Sequence, residues 1–257
     1  MFKAIPLFSG SSGNCIYVKY GDEEILLDAG VSYKRICNAL DYIGTSINNI
    51  KAVLVTHEHS DHVTGLPVLS RHTDIPIFIN RKSASYYDCP IDELFEGHAR
   101  IKDAGDSITF SGFEVNVFAT PHDSVGSCGF HFTFSDGIRF ALATDLGHIT
   151  PEISSYLLGC KSVILESNHD LKMLKNGPYP YSLKKRILSD HGHLSNEDCA
   201  AFLPKLVEMG TEKIILAHLS KENNTPELCY KTNAEALAEA GFTPSDVRLT
   251  IAMGSVV

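Results

Sequence analysis

Four side chains able to hold a divalent metal ion, His57, His59, Asp61 and His62, fall within six positions in the run Thr-His-Glu-His-Ser-Asp-His. Imidazole nitrogen suits borderline cations such as zinc, and a carboxylate among the imidazoles adds charge neutralisation. The residues before them, Ala52 to Val55, form an apolar β-type run, and Gly65-Leu66 after them opens a segment with helical spacing. A strand that stops at a ligand-rich loop and turns into a helix holds several side chains around one fixed point. The alternative is a loop of solvated histidines, and the density of ligands at a strand end argues against it. The stretch reads as a metal site.

His-x-His-x-Asp-His at a strand end resembles the signature of the metallo-β-lactamase fold. That family places its remaining ligands far downstream on other strand ends. The matching positions here are His122 in Ala-Thr-Pro-His-Asp, Asp145 in Ala-Leu-Ala-Thr-Asp and His218 in Ile-Ile-Leu-Ala-His, each closing an apolar run. The resemblance extends along nearly the whole chain. It looks closest to the WalJ (YycJ)-like branch, with its Leu-Phe-Ser-Gly-Ser-Ser-Gly-Asn opening at 7–14 and Gly-His-Leu-Ser-Asn at 192–196.

Seven ligands exceed what one tetrahedral ion uses, and suffice for two if a carboxylate bridges. The resemblance implies that His57, His59 and His122 hold one ion, that Asp61, His62 and His218 hold a second, and that Asp145 bridges. It further implies a hydroxide shared by two ions ~3.5–4 Å apart, acting as nucleophile at neutral pH, with Asp61 able to orient it. Zinc, manganese and iron all accept such a His and carboxylate set.

The elements that position these residues run in a consistent order. Residues 2–8, 15–20 and 24–28 read as strands, with a tight turn at Gly21-Asp22. Ser32 is placed to cap a helix lined by Ile36, Ala39, Leu40 and Ile43 and stopped by Gly44. The strand with the metal loop follows, then a helix near 63–72, a short strand at 77–79 and a helix near 83–88. From 107 to 145 the pattern is β throughout, and alternation places His131 on the face opposite Phe130, Phe132 and Phe134, towards solvent. Helices near 151–158, 182–189, 195–209 and 226–240 then interleave with strands at 162–165, 213–217 and 247–252.

No Pro/Ser-rich linker or composition break separates the halves, so residues 1–257 read as a single domain. The expected fold class is α/β, an αββα four-layer sandwich: two mixed sheets packed face to face, helices outside, as the family resemblance implies. Apolar content of 44% and charged content of 21% are ordinary for a globular protein. No stretch approaches the ~20 apolar residues that span a bilayer, and the Met-Phe-Lys-Ala-Ile-Pro start shows no cleavable signal pattern. Seven cysteines, an odd number without Cys-x-x-Cys spacing, fit a reducing, cytoplasmic setting better than a disulfide framework. A net charge of −9 argues against a globally basic nucleic-acid binder. Two bound divalent ions would offset part of it locally, so distribution matters more than the sum.

The ligand set also resembles that of glyoxalase II-type thioesterases, which leaves the substrate open. Two features lean towards phosphodiesters. Glu166, ending the strand at 162–165, and His193 in Gly-His-Leu-Ser-Asn resemble the Glu and His of ribonuclease Z-type nucleases, in which the His protonates the leaving oxygen and the Glu orients it. The alternative is that Ser195 or Asn196 simply caps a helix with His193 nearby. His169 and His191 carry weaker signals, and His98 reads as a surface residue.

The second feature is residues 171–186, where Lys172, Lys175, Lys184, Lys185 and Arg186 occur without an acid and are interleaved with Tyr179 and Tyr181. Cations for phosphates and aromatic faces for bases are what a single-stranded nucleic-acid track uses. The alternative is a solvated loop followed by a basic helix face. Ser11 and Asn14 in the Gly/Ser-rich loop and His148 after Asp145 are further candidates for substrate contact, although the loop reads first as a flexible turn.

The expectation is a dinuclear metal-dependent phosphodiesterase acting on nucleic acid. The branch resemblance implies a DNA exonuclease of 5′-to-3′ polarity, and the basic track implies a single-stranded DNA substrate, with no membrane partner. A hydrolase of a small phosphodiester, thioester or lactone is the alternative on the same fold, and a non-catalytic metal-binding regulator is the remote one.

Overall fold

Short apolar strands and the helices that cover them account for most of the chain. The computed structural model describes residues 2–87 and 89–256. By its contacts the chain divides into two compact units: unit 1, Met1–Val117 with Ser124–Cys128 and Met253–Val257, and unit 2, Phe118–Asp123 with Gly129–Ala252.

In unit 1, β1 (Phe2–Phe8), β2 (Cys15–Tyr20), β3 (Glu23–Leu27), β4 (Ile50–Leu54), β5 (Ile77–Ile79) and β6 (Ala99–Ile101) form a mixed sheet in chain order. The first two pairings are antiparallel and the other three parallel. Parallel pairing needs crossovers, supplied here by α1 (Tyr33–Tyr42), the short α2 (Ser60–Val63) with α3 (Leu66–His72), and the single turns α4 (Arg81–Ala84) and α5 (Ile91–Leu94). Helix α1 buries Ile36, Ala39 and Leu40 against Leu26, Val53, Val55 and Leu69. Ser32 precedes α1 as expected, but its hydroxyl makes no capping bond. Gly44, at φ 82°, ends the helix, and the Thr45 amide reaches back to the Leu40 carbonyl at 3.0 Å. Of the helix expected near 83–88, the structure has α4, and Asp88 lies outside the described residues. The hairpin of β7 (Ser107–Phe110) and β8 (Phe113–Ala119) sets Phe110 opposite Phe113.

The second sheet is also mixed. Its strands β9 (Cys128–Phe134), β10 (Arg139–Ala143), β11 (Ser162–Glu166), β12 (Lys213–Ala217) and β13 (Arg248–Ile251) are neighbours in the order β13-β12-β11-β10-β9. β9 and β10 are antiparallel around the Asp136-Gly137 turn, and β10 to β13 are parallel. The helices of unit 2 are α6 (Pro151–Leu157), α7 (Leu171–Asn176), α8 (Tyr181–Ile187), α9 (Asn196–Glu208) and α10 (Pro226–Glu239). Leu157, Leu203, Leu206 and Leu237 share a core with Val163, Leu165, Ile214 and Leu216. His131 departs from expectation: it is buried, its ring 5.8 Å from that of Tyr156, so this face of β9 is covered at position 131 while Thr133, two residues on, stays exposed.

Parallel strands carry their C-terminal ends to one sheet edge, where ligands of open α/β sheets bind. Within unit 1 that edge follows β3 and β4, and within unit 2 it follows β10, β11 and β12. Among the described residues no helix is long and apolar enough to cross a membrane.

Candidate functional site

In unit 1 the turn from β4 into α2 carries the expected ligands. His57 and His62 are buried with ring centroids 4.1 Å apart, and His59 lies with its ring 4.6 Å from that of His57. Asp28, just past β3, organises them. Its carboxylate accepts from the Thr56 amide at 2.8 Å, from the Thr56 hydroxyl at 2.9 Å and from His62 Nδ1 at 2.8 Å. Thr56 Oγ1 in turn stands 3.0 Å from His57 Nδ1. With Nδ1 bonded to oxygen, the lone pair of each imidazole lies on Nε2, the tautomer a metal ligand requires.

Asp28 holds a left-handed backbone at φ 62°, a strained conformation for a residue with a side chain. Gly30 lies so close to the same loop that a Cβ there would sit 1.6 Å from the Asp61 carbonyl oxygen. Glu58, between the two histidines, is buried and points away from them. It accepts from Ser83 Oγ at 2.6 Å and from the Val125 amide at 2.9 Å, fastening the loop to α4 and to residues 124–128. Asn14, expected to touch substrate, is buried with its amide 3.1 Å from His62 Nε2 and 3.4 Å from Asp61 Oδ2, whereas Ser11 is exposed.

In unit 2 the organising group is Glu166, fully buried at the end of β11. Oε1 accepts from His193 Nδ1 at 2.9 Å and from His218 Nδ1 at 2.7 Å, while Oε2 takes the amides of Leu146 and Leu194 at 3.1 and 3.0 Å. Burial alone would favour the neutral acid. The two imidazoles outweigh it and hold the carboxyl far below the usual carboxylate range. His193 responds in the opposite direction. Burial pulls its pKa down, and the charge and hydrogen bond of Glu166 more than reverse this, favouring imidazolium.

Asp145 and His218 both follow parallel strands with left-handed backbones, at φ 56° and 57°. The Asn168 side chain secures the latter turn by donating to the His218 carbonyl at 2.8 Å. Asp145, Glu166, His193 and His218 each bring one donor atom within 4.8 Å of the others. His122 Nδ1 donates to the Gly192 carbonyl at 3.1 Å, again leaving the lone pair on Nε2, and burial lowers its pKa, keeping the ring neutral. The donor sets of both units, imidazole nitrogens beside carboxylate oxygens, fit a divalent cation.

The sequence matches the Beta-lactamase superfamily domain over residues 23–219. This chain belongs to the β-lactamase superfamily. It is a metal-dependent hydrolase with the metallo-β-lactamase fold. The solved metallo-β-lactamase fold protein YhfI of Bacillus subtilis superposes with a TM-score of 0.74 at 14% identity, covering 99% of this chain and 97% of that one. Exodeoxyribonuclease YycJ of Bacillus anthracis is 38% identical over 236 residues, 92% of this chain and 89% of the relative. Exodeoxyribonuclease WalJ of Streptococcus pneumoniae is 37% identical over 241 residues, 93% of this chain and 89% of the relative.

Within this superfamily member the other expected residues are placed as follows. Lys172, Lys175, Lys185 and Tyr181 are exposed, and Tyr179 and Lys184 are half-buried. Arg186 is ion-paired with Asp123, the residue after His122. His148 is exposed and donates from Nδ1 to the Asp190 carbonyl at 3.0 Å. Sequence reasoning missed Asp28, Thr56, Glu58, Asn168 and Asp123. A signal for Asp28 was present: Leu-Leu-Asp closes an apolar run just as Ala-Thr-Asp does at Asp145.

Proposed function

We propose that the chain is a nuclease that digests DNA from an end, in the 5′-to-3′ direction of the branch it resembles. Its ligand set is read as one centre for two divalent ions, with the two units working as a single domain. His57, His59 and His122 would hold one ion, Asp61, His62 and His218 the other, and Asp145 would bridge. When bound, such ions polarise a phosphoryl oxygen and lower the pKa of an attacking water towards ~7.

The observation that carries the reading is the hold of Glu166 on His193. A thioester releases a thiolate that needs little protonation, whereas a phosphodiester releases an alkoxide. An imidazolium directed by a buried carboxylate is an acid suited to that alkoxide. In this reading Glu166 keeps Nδ1 of His193 engaged, so that the proton passes to the leaving oxygen from Nε2. Asp61, partly exposed, orients the attacking water. Lys172, Lys175, Lys184, Lys185, Tyr179 and Tyr181 contact the polymer, and Ser11, Asn14 and His148 are secondary candidates for that role. The names of the YycJ and WalJ relatives support DNA as the polymer, and the seven free cysteines fit a reducing cytoplasm.

The test is digestion of end-labelled single- and double-stranded DNA and RNA by metal-depleted protein resupplied with zinc, manganese or iron. Mononucleotides released progressively from the 5′ end of DNA are expected, restored by at least one ion. Hydrolysis of small esters alone, with every nucleic acid left intact, would reject the reading.

A further inference from the structure

Helix α8 has two faces with different partners, and both lie within unit 2. One face is tied to the histidine segments. Arg186 pairs with Asp123, whose Oδ1 lies 3.4 Å from His122 Nε2. At the end of the same helix the Ile187 carbonyl accepts from the His193 amide at 3.1 Å. Gly192 packs so tightly here that a Cβ would stand 2.0 Å from the Ile187 oxygen. Displacing α8 therefore disturbs the segments that carry His122 and His193.

The other face presents Tyr181, Lys184, Lys185 and Leu188, spaced i, i+3, i+4 and i+7 and so in one stripe. With Lys175 and Ser189 these side chains line a pocket of about 410 Å³, within the usual range of ~300–1,000 Å³ for ligand sites. Tyr181 is 82% exposed, so its ring face is available to a planar partner. The lining offers three ammonium groups and no carboxylate, and Lys184 donates one N–H to the Lys175 carbonyl at 2.9 Å, keeping its other donors. A purely apolar ligand would leave those cations unmatched, and a bare anion would make no use of Tyr181 and Leu188. A phosphorylated planar ring uses both. A second pocket, of about 360 Å³, lies beside α10 and β13 and is mostly apolar, with Leu237, Phe242 and Leu249 in its lining. Nothing in the structure shows what covers it.

We propose that the Tyr181 pocket receives one unpaired nucleotide of the polymer, its base on Tyr181 and its phosphates on Lys175, Lys184 and Lys185. The proposal rests on the nuclease reading above and deepens it. A base can stack on Tyr181 only when it is out of a duplex, so the pocket selects single-stranded segments. It lies about one helix diameter, ~10–12 Å, around α8 from the Arg186 face. The pocket lining includes none of the candidate metal ligands, so the nucleotide it receives is not the one being cut.

The test uses metal-loaded protein and oligothymidylates in which one base at a time is replaced by an abasic site. Removing the base at one position should weaken binding about 5- to 150-fold, the range of a base–aromatic stack. Tyr181→Ala should bind the intact strand that weakly and lose the position dependence, whereas Tyr181→Phe should keep both. Lys184→Ala and Lys185→Ala should weaken intact and abasic strands alike, each lowering the salt slope by about 0.7. Circular dichroism confirms that the variants are folded. If wild type binds and digests the strand but Tyr181→Ala matches it at every abasic position, the pocket proposal falls and the nuclease reading stands. If wild type digests no nucleic acid, the reading itself falls.

Discussion

The two units solve one problem with materials of different range. In unit 1, His57, His59, Asp61 and His62 come from a single turn after β4, and one carboxylate from the neighbouring strand end, Asp28, orients them through Thr56 and His62. In unit 2, His122, Asp145, His193 and His218 come from four separate segments, and Glu166 gathers two of them directly. Both use a buried carboxylate that engages imidazole Nδ1 and leaves Nε2 for a ligand. The local cluster depends on chain geometry over six residues. The dispersed one depends on parallel strands β10, β11 and β12 ending at one edge.

The sharpest way to break this comparison is to remove the group that belongs to both proposed ions. Asn tolerates the left-handed backbone of Asp145 and keeps its shape, so Asp145→Asn removes charge without adding strain. It should lose both metal equivalents and all activity, whereas His218→Asn should retain one ion. Metal analysis of the purified variants decides it. Two equivalents retained in Asp145→Asn would contradict the bridging role.

His193 separates holding metal from doing chemistry. His193→Ala should keep its metal content yet cut DNA about 10²–10⁴-fold more slowly, the usual range for a lost general acid. A nitrophenyl phosphodiester, whose leaving group needs little protonation, should be spared. Equal losses on both substrates would show that His193 only supports the cluster around Glu166.

The difference between local and dispersed clusters also explains what was legible in the sequence. His57 to His62 announce themselves by spacing, and the strands before them are short apolar runs that can be placed without alternation. Asp28 was passed over because one carboxylate at a strand end looks like a turn residue. Its role depends on the parallel pairing of β3 with β4, a contact across 28 residues to Thr56. Arg186 read as a free phosphate cation, yet it is paired with Asp123, 63 residues away. His131 is a related case: alternation puts it on the face of exposed Thr133, but the contact with Tyr156, 25 residues on, covers it. Helices α9 and α10 are long and capped by Ser195 and Thr225, and both lie where the sequence places them.

Acid offers a third way to separate the units. His169 of unit 2 is buried, and neither ring nitrogen has a hydrogen-bond partner among the described residues. Burial pulls its pKa down to about 4, against the ordinary 6.5. Below pH 6.5 the unfolded chain therefore binds a proton that the folded chain refuses, so this residue's contribution to stability falls from pH 6.5 towards pH 4. The full difference is about 3 kcal/mol at ~1.36 kcal/mol per pH unit. Urea unfolding should show wild type losing about that much more than His169→Gln between pH 7 and pH 4. Parallel losses in the two proteins would place the acid sensitivity elsewhere.

The finest test compares the two organising carboxylates directly. Asn and Gln keep the size and one acceptor oxygen of Asp28 and Glu166 but remove the charge that favours the Nδ1–H tautomer. Asn is again compatible with the left-handed backbone at position 28. Losing such an orienting partner typically weakens metal binding about 10–100-fold. Glu166→Gln should fall near 100-fold, because two imidazoles lean on that carboxylate. Asp28→Asn should fall near 10-fold, because only His62 contacts it directly and Thr56 remains to position His57. Zinc titration against a chromophoric chelator measures both in one experiment. A loss at Asp28 equal to or larger than that at Glu166 would mean that the local turn depends on its carboxylate as heavily as the dispersed cluster does, and that chain proximity alone does not orient the ligands.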